Sequence, residues 1–288
     1  MAKEAKHKTI EENSNRGRKR VAYAVLIFLT FACLIWFVML FLLTTQSHGE
    51  QFGSFKFMIG KSFFDNISGA LNTQNMIRGM INSVIISGSC AILGVYFSTL
   101  TAYAIHAYDF KLKNAAFTFI LAVMMVPTQV TVLGFVDLLR FFDLTENYTG
   151  LIVPSIAAPV TFYYIKQYME SALPLSLVEA ARIDGSGEFR TFNSIVLPLM
   201  KPAIAVQAIF AFVGQWNNYF VPSQIIIEKR ELKTVALLIA SLRSADWKSF
   251  NLGHVNATIF LSILPVIVIY LILSKNIVGG LALGSVKG

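Results

Sequence analysis

Six stretches of the chain run without an ionised side chain for long enough to cross a bilayer: 21–45, 79–108, 114–136, 147–165, 202–227 and 249–274. A bilayer-crossing helix needs about 20 apolar residues, and an ionised group near the bilayer centre costs roughly 2.5–3.5 kcal/mol or more. The pattern therefore predicts an all-α membrane protein with six transmembrane helices. It also sets the organisation: a basic tail at 1–20, a first transmembrane helix at 21–45, an extracytoplasmic segment at 46–78, a core domain at 79–276 and a C-terminal tail at 277–288. In the second stretch Ser83, Ser87 and Ala91, and again Gly94, Ser98 and Ala102, recur every four residues. Such a stripe lets neighbouring backbones come close and marks this helix as central. The segment 46–78 is mixed and rich in phenylalanine (Phe52, Phe55, Phe57, Phe63, Phe64), which suits an interfacial cap.

Between the fourth and fifth stretches, 171–202 is too polar to cross and carries a helical pattern of its own. Ser176, Leu177, Val178 and Glu179 fit a capping box, with the Ser176 hydroxyl on the amide of Glu179 and the carboxylate returning to the amide of Ser176. The helix should stop at Asp184 and Gly185, because glycine is favoured in the left-handed position past a helix end. A second helix is expected from about Gly187 to Val196, with Phe189, Phe192, Ile195 and Val196 on one face, before Leu197 and Pro198 open a new segment. The first helix would expose Ala180 and Ala181 beside Glu179 and Arg182, and small side chains let a partner's backbone approach. On the residues alone, an interfacial hairpin and a helix built for insertion into a cleft on another protein fit equally well.

Composition narrows the class. Of 288 residues, 55% are hydrophobic and 14% charged, against about 25% charged in soluble domains, which excludes a soluble enzyme. The net charge of +8 in such a chain reports topology and anionic headgroups of membrane lipid, not nucleic acid. The basic run Arg16, Arg18, Lys19, Arg20 precedes a first stretch too long for the apolar region of a signal peptide, about 7–15 residues. It reads as a retained helix, with both termini cytoplasmic. Cys33 and Cys90 fall inside apolar stretches, which excludes a disulfide framework. His7, His48, His106 and His254 are scattered without metal-ligand spacing, and Gly60-Lys61-Ser62 lacks the earlier glycine of a phosphate-binding loop, since Phe55 stands there. No catalytic residue, metal or cofactor is expected in this chain, and the absence of charge inside the stretches argues against an ion-coupled carrier.

A resemblance shifts the balance at the hairpin. Glu179-Ala180-Ala181, three residues, Gly185, nine residues, Ile195, one residue and Leu197-Pro198 match the EAA loop of binding-protein-dependent ABC importer permeases without a gap. The runs Met124-Met125-Val126-Pro127-Thr128-Gln129, Trp216-Asn217 with Pro222, and 280–288 resemble the carbohydrate-uptake branch, the last being similar to the tail of the smaller permease subunit of maltose-type importers. The likeness extends from about residue 80 to the end. Gly279 stands where relatives often carry Arg, and Gly134 where many have Pro, which leaves the tail contacts and the kink of the third helix open.

The resemblance implies a multi-pass permease in the inner membrane of a prokaryote, with an EAA-type coupling hairpin on the cytoplasmic side between helices four and five. It implies a non-catalytic subunit of an ATP-driven sugar importer, for a di- or oligosaccharide. Its partners would be a homologous second permease, two cytoplasmic ATPase subunits that bind ATP and Mg, and an extracytoplasmic sugar-binding protein. Ser176, Glu179, Ala180, Ala181, Asp184 and Gly185 would couple to the ATPases, and Gly284, Val286, Lys287 and Gly288 would contact them from the tail. A permease for polyols or glycerol phosphate, or an assembly scaffold without a transport pathway, are the alternatives.

The fifth stretch holds Gln215, Trp216, Asn217, Asn218 and Tyr219 together, with no charge around them. Amides bond to hydroxyls and an aromatic face covers the apolar face of a sugar. The same residues could instead hold helices together around a bend near Gly214 and Pro222. Gln129, Trp216, Asn217, Asn218 and Tyr219 are the candidate pathway residues.

Overall fold

A computed structural model describes residues 2–51, 57–72, 75–243 and 251–284, and for 2–16, 243 and 276–284 only the course of the backbone. Among the described residues every regular element is helical. In chain order they are α1 (Ala2–Thr45), α2 (His48–Gln51), α3 (Phe63–Asn72), α4 (Met76–Ala107), α5 (Lys113–Met124), α6 (Thr128–Phe141), α7 (Tyr148–Ile152), α8 (Pro159–Ala172), α9 (Leu175–Ile183), α10 (Glu188–Thr191), α11 (Leu197–Leu199), α12 (Lys201–Trp216), α13 (Phe220–Ile225), α14 (Val235–Arg243) and α15 (Leu252–Gly284). A π turn at Phe192–Val196 joins α10 to α11.

Among the described residues, four helical runs are long and apolar enough to cross a membrane: Gly17–Thr45, Met76–Ala107, Tyr148–Ala172 and Leu252–Lys275. The number rises to six if two bent pairs each count as one span: α5 with α6, bent by 102°, and Glu188–Leu199 with α12, bent by 81°. The third stretch is thus broken, not continuous. A residue before proline is disfavoured in the α region, so α5 stops ahead of Val126, and Pro127 opens α6 at φ −63° and ψ 131°. Gly134 lies inside α6 in open space, which puts the kink at Pro127.

The chain divides into two compact units, residues 1–70 with 251–260, and 71–250 with 261–288. In the first, α1 exposes Ile27, Phe28, Phe31 and Trp36 on all its sides. Its last carbonyls have no partner within the helix, and side-chain amides take them. Asn66 Nδ2 donates to the carbonyls of Thr44 and Gln46, both at 2.9 Å, and Gln51 Nε2 donates to those of Leu43 at 2.8 Å and Gln46 at 3.0 Å. The rings of Phe41, Phe63 and Phe260 cluster beside them, with centroids 5.8–6.4 Å apart. Phe52 and Phe55 lie outside the described residues.

The second unit is organised around α4. Its stripe of Ser83, Ser87, Ala91, Gly94, Ser98 and Ala102 is buried throughout. A Cβ on Gly94 would stand 2.8 Å from the carbonyl oxygen of Ser155, so glycine is what permits that approach. Two of the three serines of the stripe make bonds as well: Ser98 Oγ donates to Ala158 O at 3.2 Å and Ser83 Oγ accepts from the amide of Val235 at 2.8 Å, while Ser87 Oγ is buried without a partner among the described residues. Ala102, Tyr103, Phe162, Ile165, Met169, Val178, Phe192, Val196 and Met200 form the largest buried cluster.

Candidate coupling hairpin and pathway wall

The hairpin starts differently from its expected form. Pro174, at φ −61° and ψ 132°, is the residue that precedes α9, and no side chain caps the helix. Proline has no side-chain acceptor, and its extended ψ lets the helix begin at Leu175. Ser176 is therefore already helical, its hydroxyl makes no cap, and the capping box with Glu179 does not form. Glu179 and Ser176 are both exposed.

The far end of α9 follows the expectation closely. Gly185 has φ +77°, its amide donates to Arg182 O at 3.0 Å, and the amide of Ser186 donates to Ala181 O at 2.9 Å. These are the paired bonds of a Schellman motif. Nothing lies within 4 Å of where a Cβ on Gly185 would be, so backbone conformation alone demands glycine there. Ala181, expected to be exposed, is 5% exposed and packs inward with Val178, because the two lie three apart on one helix face. Glu179, Ala180, Ile183 and Asp184 make up the outer face, with Ile183 86% exposed.

The second arm begins at Glu188 and does not end at Val196. It continues through the π turn, where the amide of Leu197 donates to Phe192 O, and breaks at Met200, at φ −83° and ψ −2°. Pro198 follows directly in α11, and a proline there, which cannot donate back to the preceding turn, goes with the widening to a π turn just ahead of it. Phe192 and Val196 are buried, while Phe189 is 73% exposed, because the first turn of this arm projects past the core. Sequence reasoning passed over Glu188. Its Oε1 accepts from Arg182 Nε at 2.8 Å, and its Oε2 accepts from the hydroxyl of Tyr103, on α4, at 3.1 Å. A carboxylate three residues after a left-handed glycine was the available signal.

In the fifth stretch the helix breaks at Asn217–Tyr219, between α12 and α13, with Gly214 inside α12 and Pro222 inside the first turn of α13. Trp216 is buried and stacks on Phe212, ring centroids 5.6 Å apart and planes at 19°. Asn218 Oδ1 accepts from the amide of Val221 at 3.3 Å, and its Nδ2 donates to Gln215 Oε1 at 3.3 Å. Asn217 and Tyr219 are exposed, and with Trp216, Val235, Ile239 and Ser262 they line a cavity of about 470 Å³. Gln129 is exposed in the first turn of α6 and does not line this cavity.

Beyond α13, the Glu146 carboxylate accepts from the amides of Ile227, Glu228 and Lys229, and its own amide donates to Ile225 O at 3.0 Å. Burial pushes this carboxyl up, but the three amides outweigh burial and hold it below its usual range. At the other end, α15 continues to Gly284, so the expected tail begins as helix; Val286, Lys287 and Gly288 lie outside the described residues.

Residues 92–278 match the family described as binding-protein-dependent transport system inner membrane component. The arabinooligosaccharides transport system permease protein of Bacillus subtilis (strain 168) is 34% identical over 226 residues, covering 78% of this chain and 79% of that protein. The maltodextrin transport system permease protein of Streptococcus pneumoniae (strain ATCC BAA-255 / R6) is 31% identical over 227 residues, covering 78% and 80%. In fold the chain matches one from a bacterial ABC transporter involved in the import of the acidic polysaccharide alginate, with a TM-score of 0.77 at 20% identity, covering 91% of this chain and 97% of the other. The match spans well over half of the sequence and takes in both the hairpin and the interrupted fifth stretch; the chain belongs to the inner membrane components of binding-protein-dependent transport systems.

Proposed function

We propose that this chain is one of two homologous permease subunits of an ATP-driven importer for di- or oligosaccharides. It is non-catalytic: two ATPase subunits bind ATP and Mg at the hairpin side of the membrane, which is the cytoplasm, and a sugar-binding protein delivers substrate on the opposite side. Both termini share the hairpin's side, and Gly284, Val286, Lys287 and Gly288 are the tail residues assigned to the ATPases. The observation that carries this reading is the corner at Gly185. It fixes α9 so that Glu179, Ala180, Ile183 and Asp184 form an exposed face with two apolar groups and two carboxylates, a surface suited to a cleft with basic rims. ATPase closure moves this face, and alternating access follows from a shift between two packings of the bundle.

The sugar part of the reading rests on the wall at Asn217 and Tyr219 and on the relatives' substrates. No Asp, Glu, Lys, Arg or His is among the named lining residues, whereas a glycerol phosphate would call for countercharge in the bundle. The test is sugar-stimulated ATP hydrolysis by the complex purified through this subunit, with its binding protein, screened over mono-, di- and oligosaccharides and glycerol phosphate. Stimulation by a di- or oligosaccharide is the expected result. Purification without any ATPase would sink the importer reading, and stimulation by glycerol phosphate alone would sink the sugar.

A further inference from the structure

Tyr96 and Tyr103 lie seven residues apart on α4, on one face and two turns from each other. Both turn toward the second arm of the hairpin. The Tyr96 hydroxyl donates to Asn193 Oδ1 at 3.3 Å, and the Tyr103 hydroxyl donates to Glu188 Oε2 at 3.1 Å. Between these two bonds the Phe192 ring meets Tyr96 edge-on at 5.5 Å and Tyr103 at 5.8 Å. Ring contact of this kind holds the arm against α4, but apolar attraction is non-directional and permits sliding. The bonds to Asn193 and Glu188 set the register.

Glu188 is where three elements meet. One carboxylate oxygen serves Tyr103 near the end of α4, and the other serves Arg182 in the last turn of α9. The Arg182 guanidinium also lies over the ring of Tyr108, 5.2 Å from its centroid, just past the end of α4. Tyr103 is 3% exposed, so its hydroxyl has little access to water, and without its acceptor it would be an orphan donor.

We propose that Glu188 is a positioning residue that ties the hairpin to α4. Displacement of the exposed face of α9 passes through Arg182 and Glu188 to Tyr103, and α4 moves with the hairpin instead of sliding past it. Because α8, α12 and α14 all contact α4, such a movement reaches the rest of this unit. The inference rests on the reading of the hairpin as the element that meets the ATPases.

The test uses the importer complex in liposomes with sugar-loaded binding protein, measuring uptake and ATP hydrolysis together so that uptake per ATP is known. Tyr103→Phe keeps the ring and deletes the hydroxyl. Glu188→Gln keeps the size but offers one acceptor and one donor to two partners that both donate. Each should assemble and keep basal ATP hydrolysis, with uptake per ATP reduced roughly tenfold. The double variant should lose less than the two single losses combined, because the Tyr103–Glu188 bond is common to both while the Arg182–Glu188 bond is weakened only by Glu188→Gln. A merely structural role would lower assembly and hydrolysis together and leave the ratio at its wild-type value. Unchanged uptake per ATP in both singles, or losses that add, overturns the proposal; if Glu188→Gln does not assemble, Tyr103→Phe decides. Gly185→Val and Glu179→Gln in the same assay keep the two readings apart. ATPase binding unaffected by either would remove the hairpin reading itself, whereas weakened binding there beside full coupling in the Tyr103 and Glu188 variants removes only the tie.

Discussion

The hairpin corner at Asp184–Gly187 and the interruption at Asn217–Tyr219 both turn one helix into another within a few residues, and they do so by different chemistry. The corner takes its turn from the main chain, with one left-handed glycine and two amide-to-carbonyl bonds, and the Arg182–Glu188 pair bridges it from outside. The interruption uses no positive φ, and its side-chain closure rests on Asn218, which bonds once forward and once back. A corner closed by backbone leaves its side chains free to form a surface for a partner. A break braced by a side chain in addition to its main-chain bonds sits beside its own cavity, and Asn218 helps to hold the shape of that cavity.

Substitutions can break this contrast. The largest effect is expected at Gly185→Val, because an L-residue in the left-handed region costs roughly 1–2 kcal/mol and a β-branched one more. ATPase subunits should no longer co-purify with this variant. Gly185→Asn should retain most of the binding, since asparagine tolerates that conformation; equal losses in the two would mean that the corner depends on something other than φ. Next comes Asn218→Leu, which removes both bonds of the interruption and should lower stability by about 1–2 kcal/mol, read as a lower melting temperature in detergent. Asn217→Ala should leave melting unchanged and reduce sugar uptake, and the reverse pattern would exchange the roles of the two asparagines.

A smaller, several-fold loss of ATPase association is expected for Glu179→Gln, through a charge-assisted contact with the partner. Ser176→Ala should behave as wild type, because Ser176 caps nothing. Damage in Ser176→Ala beside a normal Glu179→Gln would restore the capping box. The smallest effect belongs to Glu146, whose depressed carboxyl stabilises the loop after α13 fully above the unfolded value near pH 4.3. That contribution is lost as pH falls through the lower folded value. Protection of the Ile227–Lys229 amides, taken relative to their intrinsic exchange rates, should therefore fall at strongly acidic pH, and Glu146→Gln should show the lower protection already at pH 7. Exchange indifferent to both would deny the carboxylate this role.

The same contrast explains what was legible in the chain. A backbone corner has a residue signature, so Gly185 and the end of α9 could be read from spacing. The start of α9 differs from the expected one because Ser176 and Glu179 have the right spacing for a capping box, yet Pro174 takes the cap position and the helix begins two residues early. The break in the fifth stretch falls between Gly214 and Pro222, the two residues that mark a bend there, though at neither of them. Both instead lie inside helices, Pro222 in a first turn where its missing N–H is harmless. Asn66 was equally silent, since its bonds to Thr44 and Gln46 span 22 and 20 residues and carry no periodicity. The buried stripe of α4 was readable because close backbone approach leaves small residues at helical spacing.

That grip by Asn66 and Gln51 makes α1 a lever. Its 44 residues amount to about 65 Å at 1.5 Å per residue, so a tilt of about 5° at the gripped end would swing the opposite tip by roughly 6 Å. Arg18, Lys19 and Arg20 lie far along this arm from the amides of Asn66 and Gln51, so such a tilt would carry their charges several ångströms while the gripped end stayed in place.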